Sequence, residues 1–336
     1  MATFFFFPPL PSMTGGMYVI LTIAKHLHTI GHKSTLVFRE YPPYLDKITP
    51  QIPTIHWDKL TLNKDDVWVV PEGWPMALIP GLQSQSRCVV YVQNWAYLHG
   101  KLPDNASWEQ LPVTMIAVSN PVAFFIKETT GINAHILRPG INLNMFYTPT
   151  CKSFKSQKRP IRIAWMPRKN KALAHQIQQT IKAKLSSCNS STSLEWVEIH
   201  KKTPEEVSAC LKTSDIFLAT GFPEGCPLPP LEALACGCLV VGFGGFGGWD
   251  YMRQALPNGY TPWWPLENLP WEGNGLYVAD ADILGTIFAL EYAIDLLHSH
   301  DEKLSYIYLQ AEKTVKEYSL NNHYNAISTL WKQHFI

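Results

Sequence analysis

Charged residues are scarce in this sequence. They make up 16% of its 336 residues and leave a formal net charge of only +1, whereas about 25% is typical of soluble domains. A nearly neutral chain lacks the positive charge that drives attraction to phosphate backbones, so we expect no nucleic-acid partner. The hydrophobic share of 46% excludes a disordered chain and is enough for two cores, at about 150 residues a domain.

Several motifs of cysteine and histidine chemistry are also missing. The seven cysteines are odd in number and contain no C-x-x-C pair, and the histidines contain no H-E-x-x-H pattern. These absences exclude a disulfide framework, a zinc site and a zincin-type metalloenzyme, and they indicate a reducing, cytoplasmic environment. No apolar run approaches the ~18 residues of a membrane span, and Phe4–Phe7 lacks the basic flank of a signal peptide. Membrane contact is therefore expected to be peripheral at most.

Basic side chains are unevenly distributed along the chain. Residues 151–171 hold eight lysines and arginines and no acidic residue. Within them, residues 151–160 are rich in Ser and Lys and poor in apolar side chains, as exposed interdomain linkers are. We therefore predict an N-terminal domain over residues 1–150, a linker over 151–160 and a C-terminal domain over 161–318.

Short apolar runs alternate with amphipathic helical patterns on both sides of this linker. Such alternation, with strands that are apolar throughout, predicts parallel sheets covered by helices. The fold class is therefore α/β, with two Rossmann-like doubly wound domains facing one another. The predicted strands are Thr3–Phe7, Ser34–Phe38, Val67–Val70, Cys88–Val92, Val113–Val118 and Ala134–Leu137 in the first half, and Ile161–Met166, Leu194–Ile199, Ile216–Ala219 and Leu239–Gly242 in the second.

The most informative segment has two carboxylates with seven residues between them, in Glu224-Gly-Cys-Pro-Leu-Pro-Pro-Leu-Glu232. The first acid lies in a loop, and the second lies in the first turns of a helix that opens near Leu228. Backbone N–H groups at Cys226 and Leu228 would form an anion site at that helix start. A sugar nucleotide needs both features, because amides bind its diphosphate and carboxylates accept hydrogen bonds from its hydroxyls. The alternative is a pair of solvated glutamates beside a Gly/Pro loop.

Two further segments carry features of anion binding. Gly15 and Gly16 lead from the first strand into the first helix, where glycines let a phosphate approach the backbone. They do not form G-x-G-x-x-G, so the dinucleotide fingerprint is absent and a dehydrogenase is disfavoured. Arg168, Lys169 and Lys171 follow the first strand of the second domain, at the sheet edge where doubly wound folds bind ligands. The alternatives are a plain glycine turn and a solvated basic turn.

The acid segment resembles the E-G-x-G-L-x-x-L-E-A-x-A-x-G-x-P-V-V signature of retaining GT-B glycosyltransferases, notably glycosyltransferase family 4. The match includes both acids, Leu228, Gly237 and the Val240-Val241 strand. The Gly15-Gly16 loop, the downstream Leu27 to Lys33 segment and Arg138 to Phe146 resemble other elements of that family. The resemblance covers nearly the whole chain, and its specific motifs lie within residues 214–242.

The resemblance implies a GT-B fold with a cleft between the domains and a C-terminal helix, residues 319–336, that returns to the first domain. It implies transfer of a sugar from a nucleotide-diphosphate-sugar co-substrate to a glycan, lipid-linked or small-molecule acceptor, with retention, as in polysaccharide biosynthesis. Glu224, Arg168 and Lys171 would be catalytic. The donor would bind at Gly15, Gly16, Cys226, Leu228 and Glu232, and the acceptor near Gln93, Asn94 and His99.

We expect no metal and no further cofactor, because we find no Asp-x-Asp pair placed after a predicted strand. Pro167 and Pro227 depart from the family pattern, and Pro227 has no backbone N–H to offer a phosphate. Two alternatives stay open: a sugar-nucleotide epimerase or hydrolase of the same fold, and a non-catalytic protein that binds nucleotide sugars or carbohydrates. The donor sugar, the base, the acceptor and the oligomeric state are not defined by the sequence.

Overall fold

The computed structural model describes residues 1–48, 52–150, 159–189, 191–299 and 302–335. The chain divides into two compact units, Met1–Pro139 with Asn321–Ile336, and Gly140–Leu320. Each unit is built on a sheet of parallel strands with helices between them. None of the helices in the described part of the chain is long and apolar enough to cross a membrane.

The first unit contains a seven-stranded parallel sheet. Its strands are short apolar runs, and the first of them is buried at nearly every position because both faces of the sheet are covered. The elements are β1 Thr3–Phe7, α1 Gly15–Thr29, β2 Ser34–Phe38, β3 Thr54–His56, β4 Val67–Pro71, α2 Ile79–Gln83, β5 Arg87–Val92, β6 Val113–Ala117, α3 Asn120–Thr130, β7 His135–Ile136 and, at the end of the chain, α9 Leu320–His334.

The strand order of this sheet is β3-β2-β1-β4-β5-β6-β7. The order reverses between β1 and β4, whose first residues pair Thr3 with Val67. In doubly wound folds, ligands bind outside the carboxyl ends of the strands at such a switch point. The residues that follow β1, β4 and β5 are therefore the ones to examine in this unit.

The second unit contains a five-stranded parallel sheet. Its elements are β8 Ile161–Trp165, α4 Lys171–Ser187, β9 Leu194–Glu198, α5 Pro204–Lys212, β10 Ile216–Ala219, α6 Leu228–Ala235, β11 Leu239–Phe243, β12 Leu276–Val278, α7 Ile283–Ser299 and α8 Glu302–Glu317. The strand order is β12-β11-β10-β8-β9. The switch point lies between β8 and β10, which pair in parallel from Ile163 and Ile216 onward.

The division between the units falls after Pro139 instead of after residue 150. The reason is that the segment from Gly140 onward packs on the second unit. Ile141 N–H donates to the Tyr318 carbonyl at 2.8 Å, and the Thr148 hydroxyl donates to the Ala235 carbonyl at 3.1 Å. Of the predicted linker 151–160, residues 151–158 lie outside the described residues.

The last helix belongs to the first unit. His323 Nδ1 lies 2.6 Å from the Arg138 carbonyl, and the Trp331 indole N–H donates to the Thr3 hydroxyl at 3.1 Å. Trp331 is also fully buried against Phe5, with ring centroids 6.2 Å apart. These contacts attach α9 to β1, the first strand of the chain.

Candidate active site

Two loops at the carboxyl edge of the second sheet are joined by hydrogen bonds. The turn after β8 ends at Asn170, whose backbone is left-handed with φ 58° and whose side-chain amide donates to the Thr220 carbonyl at 2.8 Å. In return, the Thr220 hydroxyl donates to the Lys169 carbonyl. Because β8 and β10 flank the switch point, this pair of loops occupies the position where ligands bind in this fold.

Lys169 Nζ forms an ion pair with Glu224 Oε1 within this joined region. Both side chains are shielded but not sealed, with 26% and 13% of their side-chain surfaces exposed. Gly221 lies directly beside them, and a Cβ at that position would lie 2.5 Å from Glu224 Oε1 and would displace the carboxylate. The structure thus pairs Glu224, the first acid of the Glu224/Glu232 pair, with Lys169 of the turn after β8.

A glycine-rich loop after β11 holds the backbone of Glu224. Glu224 N–H donates to the Gly245 carbonyl at 2.9 Å, and Gly247 N–H donates to the Glu224 carbonyl at 3.0 Å. A side chain at Gly247 would not fit, because its Cβ would lie 1.9 Å from the Gly225 carbonyl oxygen. Gly245 has φ +64°, a left-handed conformation that glycine adopts without strain. These glycines are therefore needed for the position of the acid.

The second acid, Glu232, lies within α6. Burial raises the pKa of its carboxyl to about 7, and the nearby charge of Arg168 acts in the opposite direction. The start of α6 is fixed by the buried Tyr251, whose hydroxyl donates to the Pro227 carbonyl at 2.7 Å. Because Pro229 and Pro230 lack N–H groups, the first turn of α6 offers few amides to an anion. Charge for a diphosphate must come mainly from side chains.

The described cations of the basic stretch include groups at both ends of the second sheet. Arg159 forms a bidentate ion pair with Asp215, at 2.6 and 2.7 Å, beside the amino end of β10. Arg168 and Lys171 lie at the carboxyl edge and are exposed, and Lys171 is the first residue of α4. Of the cations in residues 159–171, those at the carboxyl edge are therefore the ones placed to meet a ligand at the switch point.

A small pocket lies directly behind Glu224. Its volume is about 20 Å³, room for roughly one water molecule. It is lined by apolar side chains of β10 and α6 together with Lys169, Thr220 and Glu224. A sugar nucleotide does not fit inside it, so such a ligand would bind across the open carboxyl edge.

The switch point of the first unit has its own cluster. Gly15 and Gly16 begin α1, which is capped by the Thr14 hydroxyl accepting the Met17 N–H at 3.3 Å. The Gln93 side chain donates to the Gly16 carbonyl at 3.0 Å, and a Cβ on Gly16 would lie 2.1 Å from Gln93 Oε1. The structure thus brings together two of the predicted site residues, one from the donor set and one from the acceptor set.

Glu72 lies behind this cluster, immediately after β4, with only 4% of its surface exposed. Its two carboxylate oxygens accept the backbone N–H groups of Gln93, at 3.1 Å, and Asn94, at 2.8 Å. Burial raises the pKa of this carboxyl to about 7 although both hydrogen bonds act to lower it. The third predicted acceptor-side residue, His99, is instead exposed beside α3, with its Nε2 3.1 Å from the Thr129 hydroxyl.

Comparison with known proteins finds similar sequences. A family model described as glycosyl transferases group 1 matches residues 177–260, which include Glu224, Glu232 and the glycine-rich loop. A protein of Actinobacillus pleuropneumoniae serotype 7 (strain AP76) named alpha-1,6-glucosyltransferase is 25% identical over 257 residues, which are 74% of this chain and 74% of that protein. The chain is similar to glycosyltransferases of group 1.

Solved structures confirm the GT-B fold predicted for this chain. A glycosyltransferase from Rickettsia africae ESF-5 has a TM-score of 0.70 at 14% identity and covers 99% of this chain and 98% of its own. Anabaena HepE, in complex with UDP and glucose, has a TM-score of 0.66 at 12% identity and covers 99% of each chain. At such identities the likeness shows the fold alone.

Several residues of the candidate site differ from those expected from the sequence. The resemblance implied Arg168 and Lys171 as the catalytic cations, whereas the structure pairs Lys169 with Glu224. Glu72 carried no motif. Asp280-Ala281-Asp282 follows β12, an Asp-x-Asp pair behind a strand that was not predicted.

Both acids of this Asp-x-Asp pair have structural partners. Asp280 Oδ1 accepts Gly245 N–H at 2.8 Å, and Asp282 Oδ1 accepts Gly285 N–H at 2.8 Å. Within the described residues, no group of three or more His, Cys, Asp or Glu side chains is arranged to hold a metal ion. Asp280 therefore contributes to the site by fixing the glycine-rich loop that holds Glu224.

Proposed function

We propose that this chain transfers a hexosyl group from a nucleotide-diphosphate-sugar to a glycan, lipid-linked or small-molecule acceptor, with retention. The observation that carries the proposal is the Lys169–Glu224 ion pair at the switch point of the second sheet, with Arg168 acting on Glu232 nearby. The site combines cations suited to a diphosphate with carboxylates suited to sugar hydroxyls.

The names of two similar proteins suggest the first donor to test. One relative is an alpha-1,6-glucosyltransferase, and one protein of the same fold was solved with UDP and glucose. We therefore propose UDP-glucose as the leading donor candidate. The acceptor is proposed only by class, as a hydroxyl-bearing molecule.

In the proposed donor complex, Arg168 and Lys169 neutralise the diphosphate in place of a metal ion. Lys169 would exchange its bond to Glu224 for a phosphate oxygen, because a diphosphate with two negative charges competes well for an ammonium group. The freed Glu224 carboxylate would then accept hydrogen bonds from the donor sugar or face the positive charge that develops at its anomeric carbon. Glu232 would accept hydrogen bonds from the ribose hydroxyls.

The proposed reaction breaks the bond between the anomeric carbon and the phosphate oxygen, and its electron pair stays on that oxygen. The acceptor hydroxyl oxygen forms the new bond from the same face of the sugar. Its proton passes to the departing phosphate oxygen, so the products are the glycoside and the nucleoside diphosphate. The two cations stabilise the leaving group, and no protein base is required.

A thermal-shift screen against a panel of sugar nucleotides tests the binding half of the proposal. A ligand at 100 times its Kd adds about 2.7 kcal/mol of stability, so the correct donor raises Tm by several degrees. A transfer assay with that donor tests the other half. Release of free sugar or epimer without need of an acceptor would favour an epimerase or hydrolase, and binding without turnover would favour a non-catalytic protein.

A further inference from the structure

The turn after β5 is held by the two oxygens of a buried carboxyl group. Glu72 reaches from the end of β4 to accept two successive backbone N–H groups, those of Gln93 and Asn94. Burying an ionised carboxylate is costly unless it is well hydrogen-bonded. A carboxylate nevertheless suits this position, because it is a single group with two acceptor oxygens.

The hydrogen bonds continue from Glu72 to the first turn of α1. Glu72 fixes the backbone of Gln93, and the Gln93 side chain donates to the Gly16 carbonyl at 3.0 Å. Gly16 permits this approach because it has no Cβ. One acid therefore connects the segments that follow β1, β4 and β5, at the carboxyl edge where this unit would bind a ligand.

We propose that Glu72 is a positioning residue of the transfer reaction, which holds Gln93 and Asn94 in the conformation that receives the acceptor. This inference rests on the proposed function. The side chains proposed above to bind the donor belong to the second unit. In the first unit, Gly15 and Gly16 are expected to meet the donor and Gln93 and Asn94 the acceptor, and Glu72 bonds directly to the backbone of these last two residues. A residue whose only role is stability would support the fold without affecting acceptor kinetics.

The test compares E72Q with D66N, two isosteric changes at opposite ends of β4. Asp66 is equally buried at 5% exposure, and its oxygens accept Ala2 N–H at 2.7 Å and Asn63 N–H at 3.0 Å. Each change replaces one acceptor oxygen by an NH2 group, so both lower Tm. We expect E72Q to lower kcat/KM for the acceptor by tenfold or more, while D66N changes it less than twofold.

Two further readouts separate positioning from folding. In E72Q, hydrogen exchange at the Gln93 and Asn94 amides rises by tenfold or more, whereas the Kd of the nucleoside diphosphate, measured by calorimetry, stays within twofold of wild type. Q93A reproduces the acceptor defect, and the E72Q/Q93A double variant is no worse than either single variant, because both break the same chain of contacts. Q93A also serves as the test if E72Q fails to fold.

The outcomes are distinguishable. No transfer by the wild-type protein with any donor of the panel would refute the proposed function itself. Transfer by wild type, with equal acceptor kinetics in E72Q and D66N, would refute the role of Glu72 alone. Fully additive losses in the double variant, or normal acceptor kinetics in Q93A, would refute it as well.

Discussion

Replacing Glu224 by Gln perturbs the candidate active site with the least change of shape. The substitution removes the charge that Lys169 pairs with, and both side chains are largely shielded from water. A hydrogen bond to a charged group contributes about 1.5–3 kcal/mol. Because the freed lysine can regain water, we expect a loss near the lower end, about 1–2 kcal/mol, or a Tm lower by roughly 2–8 °C for a domain of this size.

The effect on turnover should be much larger than the effect on stability. If the carboxylate acts in the transition state, E224Q lowers kcat by about 10²–10³, which corresponds to about 2.7–4 kcal/mol. Initial rates at saturating donor and acceptor measure this loss, and thermal unfolding measures the stability.

D215N is the matched control for E224Q. It breaks the ion pair with Arg159 at the amino end of β10, the strand that precedes Glu224, where Asp215 is 5% exposed. We expect D215N to lower Tm while leaving kcat within twofold of wild type. Equal kcat losses in the two variants, or normal turnover in E224Q, would refute the catalytic reading of Glu224.

Three further predictions concern the donor side. K169M should raise the Kd of the nucleoside diphosphate by about 10–100-fold, the effect of one lost charge-assisted contact. K171M should raise this Kd less than threefold, and equal effects of the two substitutions would contradict the role of Lys169 in binding the diphosphate. Burial raises the pKa of Glu232 from 4.5 to about 7, and ribose hydroxyls favour its ionised form, so nucleotide affinity should rise from about pH 6 to pH 8 with proton release near neutrality. Calorimetry in two buffers of different ionisation enthalpy measures the released proton. E232Q should remove the rise of nucleotide affinity between about pH 6 and pH 8, and an unchanged rise in E232Q would contradict the assignment of the proton to Glu232. G247A should lower the free energy of unfolding by about 1–3 kcal/mol and remove most of the activity, because its Cβ would meet a backbone carbonyl at 1.9 Å. G100A, with nothing within 4 Å of its Cβ, should change neither stability nor activity. Wild-type behaviour of G247A would show that the glycine-rich loop is not rigid.

The strands of the sheets were largely predictable, because a strand buried on both faces appears as a continuous apolar run. The predicted Thr3–Phe7 and Ser34–Phe38 have the same bounds in the structure, and Ile216–Ala219 does too. β12 was not predicted, since it is only three residues long and follows the irregular segment after β11. The Asp-x-Asp pair behind it was missed for the same reason.

The site was only partly predictable, because its contacts join residues far apart in the sequence. Local motifs identified Glu224, Glu232 and the basic turn. The choice of Lys169 depends on the left-handed backbone of Asn170, which spacing does not reveal. Glu72 gave no signal at all, because its role depends on N–H groups that follow the next strand along the chain and approach it only once the sheet forms.

The most direct test of the central claim is a crystal structure of the chain with a nucleoside diphosphate bound. The account predicts phosphate oxygens within hydrogen-bond distance of Arg168 and Lys169, ribose hydroxyls on Glu232, and Glu224 released from Lys169. A diphosphate bound elsewhere, with the Lys169–Glu224 pair intact, would contradict it.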